Sequence, residues 1–453
     1  MIDNTAALTD HGNRQSRKTL IDIATAAVEA VHPSRTVPAA LNRAGDSLWV
    51  AGRVYNLDDI ENVYIIGAGK GSVEVVDELL GIIGDAVTDG IVAEKRDQVH
   101  KIEGINVYET GHPLPDAGSL AAGEATIELA ERADEDDLVF VCINGGASAQ
   151  CVAPVDSVSL DDLRSTTEVL LNAGLPIEEV NAVRKHLSKI KGGRLATRIA
   201  PASLVTLVVI DEVAGKPWGP TVGDKTTFAD ATRVLERHSL DGDVPKTVQD
   251  HLDRGCQSLE LETPSPIDLN SLDALTVVLA DPVDACEAAT ASARQLGYDS
   301  EILSTSIEGE SREVATVFSG IVDEIQTHGR PFEPPFVLVS GGETTVTVPD
   351  DAGRGGPNQE FALAFALKIE ANPNLTALAL GTDGTDGPTD IAGALVDGST
   401  ASRIREADVD PWTHLEAHNT SDPLTLVDDA IYTGSTGTNV MDLRLILIDS
   451  YSR

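Results

Sequence analysis

Val63-Tyr64-Ile65-Ile66-Gly67-Ala68-Gly69-Lys70-Gly71-Ser72 reads as a buried strand, a glycine-rich turn and the entry to a helix over about 73–80. The unbroken apolar run suits a strand covered on both faces, and the glycines let the backbone turn sharply into the helix. The same pattern recurs along the chain. Leu138–Ile143 runs into Asn144-Gly145-Gly146-Ala147-Ser148, 205–210 ends at Asp211, and 335–339 ends in Ser340-Gly341-Gly342. Further strands are expected at 275–279, 376–380 and 443–448, and helical spacing at 160–171, 177–190, 283–296 and 361–370. Strands alternating with helices predict an α/β protein, with a mainly parallel sheet in the N-terminal half and a second α/β set after it. A length of 453 residues exceeds one ordinary core, so two α/β domains are expected, 1–255 and 256–453. Their junction is placed in the Asp-, Glu-, Ser- and Pro-rich segment 243–266, and 275–279 is assigned to the second domain. Ligands in such sheets collect at the carboxyl ends of strands, and the Gly, Asp and Asn clusters sit at such ends in both halves. That placement predicts a site in a cleft between the domains.

Composition narrows the function. An apolar content of 42% is too high for a disordered acidic chain, and no run of 18 apolar residues suggests a membrane span. The first 35 residues mix acids with amphipathic spacing (Leu20, Ile21, Ile23, Val28, Val31) and lack a signal-peptide core, so a soluble, cytoplasmic protein is expected. Cys142, Cys151, Cys256 and Cys286 have no CxxC spacing and read as buried free thiols. A net charge of −40 would repel nucleic acid and anionic membrane, which are not expected as partners. Acids such as Asp350 and Asp351 are scattered along the chain, and the aromatic content is only 4%. In molar salt the Debye length falls to about 3 Å and self-repulsion is screened. The composition therefore fits a halophilic protein from a salt-filled cytoplasm, and it leaves room for a homodimer.

Against that acidic background, residues 180–210 contain no Asp or Glu, where about five would be expected at the chain's average. The same stretch carries Arg184, Lys185, Lys189, Lys191, Arg194 and Arg198. Asn181, Arg184, Ser188 and Lys191 recur at steps of three and four and are expected on one helix face, where they would bind an anion. The turn after Ile66 is a second anion candidate, because a helix N-terminus presents free N–H groups and Lys70 adds a full charge. It is not a Walker A loop and lacks the third glycine of a dinucleotide fingerprint. Gly381-Thr382-Asp383-Gly384-Thr385-Asp386-Gly387-Pro388-Thr389-Asp390 places three acids at short spacing, suited to Mg²⁺ or to a base on a hydroxyl; an acidic turn in an acidic protein is the plain alternative. Thr433-Gly434-Ser435-Thr436-Gly437-Thr438-Asn439-Val440 offers neutral donors to phosphate or a sugar acid. His112, in Gly111-His112-Pro113-Leu114-Pro115-Asp116, is either a ligand-site residue or part of a rigid turn.

Taken in this order, the segments resemble the glycerate kinases that carry a MOFRL domain. The resemblance spans about 18–448 and rests on Asn181-Ala182-Val183-Arg184-Lys185-His186-Leu187-Ser188-Lys189-Ile190-Lys191-Gly192-Gly193, on GHPLPD at Gly111, and on GGPNQEFALA at Gly355. TDGTDGPTD at Thr382 and STGTNVMDL at Ser435 complete it. It implies two Rossmann-like three-layer α/β domains with an interdomain active-site cleft, and transfer of phosphate from Mg-ATP to the 2-hydroxyl of D-glycerate. By this resemblance Lys70, Asp211, Asp383, Asp386 and Arg354 would be catalytic, with Asp211 and Asp386 on Mg²⁺. Gly67, Gly69, Gly145, Gly146, Ser148, Asn181, Arg184, Lys191, Glu343, Asn358, Thr438 and Asn439 would line the site for ATP and a small hydroxy acid.

Several positions depart from the family pattern. Pro357 stands where an arginine precedes Asn-Gln-Glu, so either Arg354 substitutes for that cation or a catalytic cation is lost. Asn144 and Ala147 alter a Ser-Gly-Gly-Gly-Ser-Ala motif, and Ser435 replaces a proline. Asp211-Glu212-Val213 with Gly215-Lys216 replaces Ser-Asp-Val with Gly-Asp. The alternatives carried beside a glycerate 2-kinase are an NAD(P)H-dependent hydroxypyruvate reductase and a non-catalytic binding paralogue.

Overall fold

A computed structural model describes residues 1–212, 217–349 and 352–450. Val213, Gly215, Lys216, Asp350 and Asp351 therefore lie outside the described residues. The chain folds as two compact units, Val37–Val209 with Pro217–Leu279, and Met1–Thr36 with Ile210–Lys216 and Ala280–Arg453.

The first unit opens with a three-stranded antiparallel sheet, β1 (Leu41–Ala44), β2 (Ser47–Val50) and β3 (Arg53–Asn56). Its main sheet is built from β4 (Val63–Ala68), β5 (Val87–Lys95), β6 (Asn106–Thr110), β7 (Leu138–Ile143), β8 (Ser203–Val209) and β9 (Ala274–Ala280). The strand order is β6-β5-β4-β7-β8-β9, and β4 to β8 pair in parallel. This is the doubly wound order of dinucleotide-binding folds, in which the chain reverses direction between β4 and β7. β4 and β7 are buried on both faces, as their apolar runs predict. The turns that follow them, at Gly69 and Asn144, accordingly sit side by side. A second cluster gathers four helices, Leu160–Asn172, Ile177–His186, Phe228–Arg237 and Lys246–Gly255, around Leu163, Leu170, Val183, Phe228, Val248 and Leu252.

The second unit carries β10 (Asp299–Ile307), β11 (Phe336–Gly342), β12 (Leu375–Gly381), β13 (Gly393–Asp397), β14 (Ala430–Ile431) and β15 (Asp442–Ile448), in the order β10-β11-β15-β12-β13-β14. β10 and β11 are parallel and the other described pairs are antiparallel, so this sheet is mixed. Alternation along β11 builds three layers: Phe336 and Leu338 pack under the helices Ser311–His328 and Pro357–Lys368, and Val337 and Val339 under Arg14–Ala30 and Pro282–Gln295.

The single cut expected near 255 differs from this division in two ways. The N-terminal helix Arg14–Ala30 lays Leu20, Ile23, Ala24, Ala27 and Val28 against the second sheet, so the first 36 residues belong to the second unit. The segment 243–266 is not a linker, because Val248 and Leu252 are buried in the helical cluster. The strand expected at 275–279 is β9 and completes the first sheet. Polarity read from sequence marked that surface, but it could not show that the helix within it is amphipathic and docked. Cys142, Cys151 and Cys286 are buried as expected; Cys256 is exposed. Among the described residues no helix is long and apolar enough to cross a membrane.

Candidate functional site

In the first unit the turn after β4 is locked to the turn after β7. The Lys70 N–H donates to the Gly145 carbonyl at 2.8 Å, and the Asn144 amide donates to the Lys70 carbonyl at 2.9 Å. Gly69 has φ +113°, and a Cβ there would fall 2.2 Å from the Asn144 carbonyl oxygen, so only glycine permits this approach. Gly67 has a different task. It lies inside β4, where a Cβ would meet Val92 at 2.9 Å, and it serves sheet packing.

The helix Ser72–Ile83 does not present free N–H groups to a ligand, contrary to the expectation from the glycine turn. The buried Glu94 carboxylate occupies that position, accepting from Ser72 N at 3.0 Å and Val73 N at 3.4 Å, and from Lys95 N through its other oxygen at 2.9 Å. Burial pushes the Glu94 carboxyl up to about 8 against these donors. Glu94 lies 24 residues after Lys70 and carries no motif of its own; only the parallel pairing of β4 with β5 reveals that it caps the helix.

The basic stretch resolves into two kinds of cation. The helix Ile177–His186 ends earlier than its spacing predicts, so Asn181 and Arg184 share a face while Ser188 and Lys191 lie in the turn beyond it. The Ser188 hydroxyl stops the helix by accepting from Ile190 N and Lys191 N, both at 3.2 Å. Three cations are neutralised: Lys185 by buried Asp224 at 2.7 Å, Lys189 by Asp156 at 2.6 Å, and Arg198 by Glu131 at 2.5 Å. Arg194 donates to the carbonyls of Lys185, Ser188 and Leu261.

Arg184 and Lys191 differ from these. Arg184 is 9% exposed and has no hydrogen-bond or ion-pair partner among the described residues. Burial holds its guanidinium below the usual arginine range. Lys191 donates to the Ser148 carbonyl at 2.8 Å, which ties it to the turn after β7. Burial first, and then repulsion from Arg184, push its ammonium down to about 7. Two neighbouring cations without a carboxylate form a site whose natural complement is an anion.

In the second unit, carboxylates gather where β11 and β12 end and β15 begins. The Asp386 carboxylate is 3% exposed and saturated: Oδ1 accepts from Asn358 N at 2.9 Å and Asn358 Nδ2 at 3.2 Å, and Oδ2 accepts from Gln359 N and Nε2, both at 2.9 Å. It is the anion at the N-terminus of the Pro357–Lys368 helix. Burial and the nearby Asp442 push its carboxyl up to about 7 against those donors. All four contacts tie Asp386, expected on Mg²⁺, to the start of that helix.

Asp442, which the sequence reading passed over inside STGTNVMDL, is the nearer candidate. Its Oδ1 accepts from Asn358 Nδ2 at 2.7 Å and its Oδ2 from Arg444 at 2.7 Å. Burial raises its carboxyl above the usual range, and Asp383 adds to the rise. Asp383 is oriented by Thr385, whose N–H and hydroxyl donate to its Oδ1 at 2.9 and 3.0 Å. Asn439 donates to Asp211 at 3.3 Å. Glu343 is exposed just past β11.

Two further candidates have partners of their own. The Thr438 hydroxyl donates to the Val31 carbonyl at 2.9 Å and fastens the loop to the N-terminal segment. Arg354 pairs with Asp390 at the surface, so it does not stand in as a buried cation; Pro357 opens the helix as its first residue, where a missing N–H costs nothing. Among the described residues no three His, Cys, Asp or Glu side chains come together as a metal ligand set.

These features define an α/β protein with one unit bearing an uncompensated cationic site and the other a cluster of strand-end carboxylates. The family model described as a domain of unknown function, DUF4147, matches residues 19–253, and that of the MOFRL family matches 336–442. The glycerate 2-kinase of Pyrococcus horikoshii is 40% identical over 94% of this chain and 95% of its own length. The D-glycerate 2-kinase of Thermotoga maritima is 33% identical over 95% and 98%. A crystal structure of the Thermotoga maritima glycerate kinase superposes with a TM-score of 0.81 at 32% identity, covering 96% of this chain and all of that one. The chain belongs to the glycerate kinase family with a MOFRL domain.

Proposed function

We propose that this chain is an ATP-dependent glycerate 2-kinase, transferring the γ-phosphoryl group of ATP to the 2-hydroxyl of D-glycerate to give 2-phosphoglycerate. The observation that carries the reading is Arg184, a buried guanidinium with no counter-charge among the described residues, beside Lys191. Phosphoryl transfer needs fixed cations on anionic groups, and both substrates are anions. Arg184 and Lys191 hold a carboxylate or phosphate oxygens. Lys70, whose backbone is pinned by Gly145, supplies a third cation on the same unit.

Asp383 and Asp442 are the carboxylates suited to orient the 2-hydroxyl and take its proton, because Thr385 fixes one and Arg444 with Asn358 fixes the other. Mg²⁺ arriving with ATP is held mainly by phosphate and water and needs only one or two protein carboxylates. Asp211, Asp383 and Asp442 fit that demand, and the saturated Asp386 does not. When bound, the ion neutralises charge that develops on the phosphates. The charge of −40 further supports work in a salt-rich cytoplasm.

The test is a screen of small hydroxy acids with Mg-ATP in molar KCl, with the product read by phosphorus NMR. A phosphomonoester on C2 of glycerate is the expected product. Oxidation of NADH by hydroxypyruvate without any phosphorylated acid would replace this reading with the reductase, and saturable ATP binding without transfer would replace it with a binding paralogue.

A further inference from the structure

The small sheet β1–β3 presents one face to its unit's core and the other outward. Leu41, Leu48, Val50 and Tyr55 are buried on the inner face. The outward residues, set by the register Asn42↔Trp49↔Val54 and Ala44↔Ser47↔Asn56, are Asn42, Ala44, Ser47, Trp49, Val54 and Asn56. None of them is charged, although the chain as a whole carries −40. Trp49 and Val54 are cross-strand partners at the centre of this face and remain 37% and 54% exposed. The surrounding sequence shares the bias: Asp46 is the only acid between Glu29 and Asp58, where about four or five would be expected at the chain's average. The two arginines of the sheet, Arg43 and Arg53, are already paired with Asp85 and Asp273.

We propose that the outer face of β1–β3 is the contact between two copies of this chain, packed about a two-fold axis with Trp49 and Val54 at its centre. The charge distribution selects this occupant. A basic partner would settle on the acid-rich remainder of the surface, not on its neutral patch. A second copy is repelled where the surface is rich in acids and meets no like charge on this face. A two-fold contact sets the same patch against itself, so the Trp49–Val54 centre is buried against its equivalent while Asn42, Ser47 and Asn56 supply matching donors and acceptors at the rim. An exposed tryptophan flanked by neutral polar groups has the composition of an interface centre. Because the bodies repel and the contact is apolar, association strengthens as salt screens the charge.

Sedimentation velocity of the full chain under reducing conditions, from 0.1 to 3 M KCl, tests this. The expected result is a dimer in molar salt whose dissociation constant rises as salt is lowered. The double variant Trp49→Glu, Val54→Glu should raise that constant at least 30-fold at a fixed salt concentration while the circular dichroism spectrum is kept. For the unmodified protein, backbone amides of β1–β3 should gain hydrogen-exchange protection as concentration is raised through the dimer range, a readout that needs no variant. A monomer at every salt concentration overturns the proposal. So does a dimer that survives the double variant in its folded form, or one whose concentration-dependent protection falls outside residues 41–56.

Discussion

Arg17 and Arg184 are both buried arginines, and their surroundings are opposite. Arg17, in the N-terminal helix, is 0% exposed with all three guanidinium nitrogens bonded: Nη1 pairs with Asp397 at 2.9 Å, Nη2 with Asp429 and the Leu395 carbonyl, and Nε with the Leu8 carbonyl. Asp429 also receives His11, Thr400 and Arg403. Burial opposes ionisation of Asp429, but Arg17, His11 and Arg403 hold it far below the usual carboxylate range. Arg184 meets none of this, and its charged neighbour Lys191 repels it. A buried charge with every nitrogen bonded belongs to the scaffold, whereas one with no protein partner points to a ligand.

Removing each arginine should separate the two roles. Arg17→Leu leaves Asp397 and Asp429 buried with fewer counter-charges. It should cost about 3–5 kcal/mol of stability, with kcat/KM per folded molecule intact, measured by denaturant titration beside the kinase assay. If the variant unfolds at its normal midpoint, the network does not hold the N-terminal helix. Arg184→Leu should do the reverse. It should lower kcat/KM at least 100-fold, about 2.7 kcal/mol, while the unfolding midpoint stays level or rises, because a costly unpaired charge has been removed. Normal turnover in this variant would strip the cationic site of its function.

Asp386→Ala is the sharper test of the carboxylate cluster. Four donors at the start of the Pro357 helix lose their acceptor. A loss of about 2–3 kcal/mol in stability is expected, larger than any selective loss in kcat. If stability is unchanged and the Mg²⁺ dependence of the rate shifts instead, Asp386 is a metal residue after all.

Some of this was legible in the chain and some was not. Strand-end glycines located the turns at Gly69 and Asn144, because a strand buried on both faces leaves an unmistakable apolar run. The absence of acids over 180–210 pointed to Arg184 and Lys191, because a surface saturated with carboxylate makes their absence conspicuous. Which of six cations would stay unmatched was not legible. Asp224, Asp156 and Glu131 reach Lys185, Lys189 and Arg198 from distant segments, and pairing over such separations leaves no local pattern. Glu94 escaped for the same reason, as did the helix contact of Asp386, itself singled out: a carboxylate filling a helix N-terminus from another element looks like any acid in a chain with 73 of them. The N-terminal helix looked like part of the first domain, since its amphipathic face says that it docks but not on which sheet.

The smallest effect tests the cationic site without deleting it. Burial, and then Arg184, push the Lys191 ammonium of the free protein down to about 7, against about 10.4 in an unfolded chain. The unfolded chain therefore binds more protons between those values, and this group's contribution to stability rises with pH across that window. A bound anion reverses the balance, because it favours the ammonium and raises its pKa. Binding should then take up a proton above pH 7, and KM for the anion that sits there should climb about tenfold or more between pH 7 and 9. Calorimetry at pH 8.5 in two buffers of different ionisation enthalpy measures the uptake directly. Lys191→Arg keeps its charge throughout and should flatten the profile. A rise confined to KM for ATP assigns the pair to phosphate, and one confined to glycerate assigns it to the carboxylate. A flat profile with no proton uptake would mean that Lys191 is already neutral or already paired, leaving Arg184 to hold the anion alone.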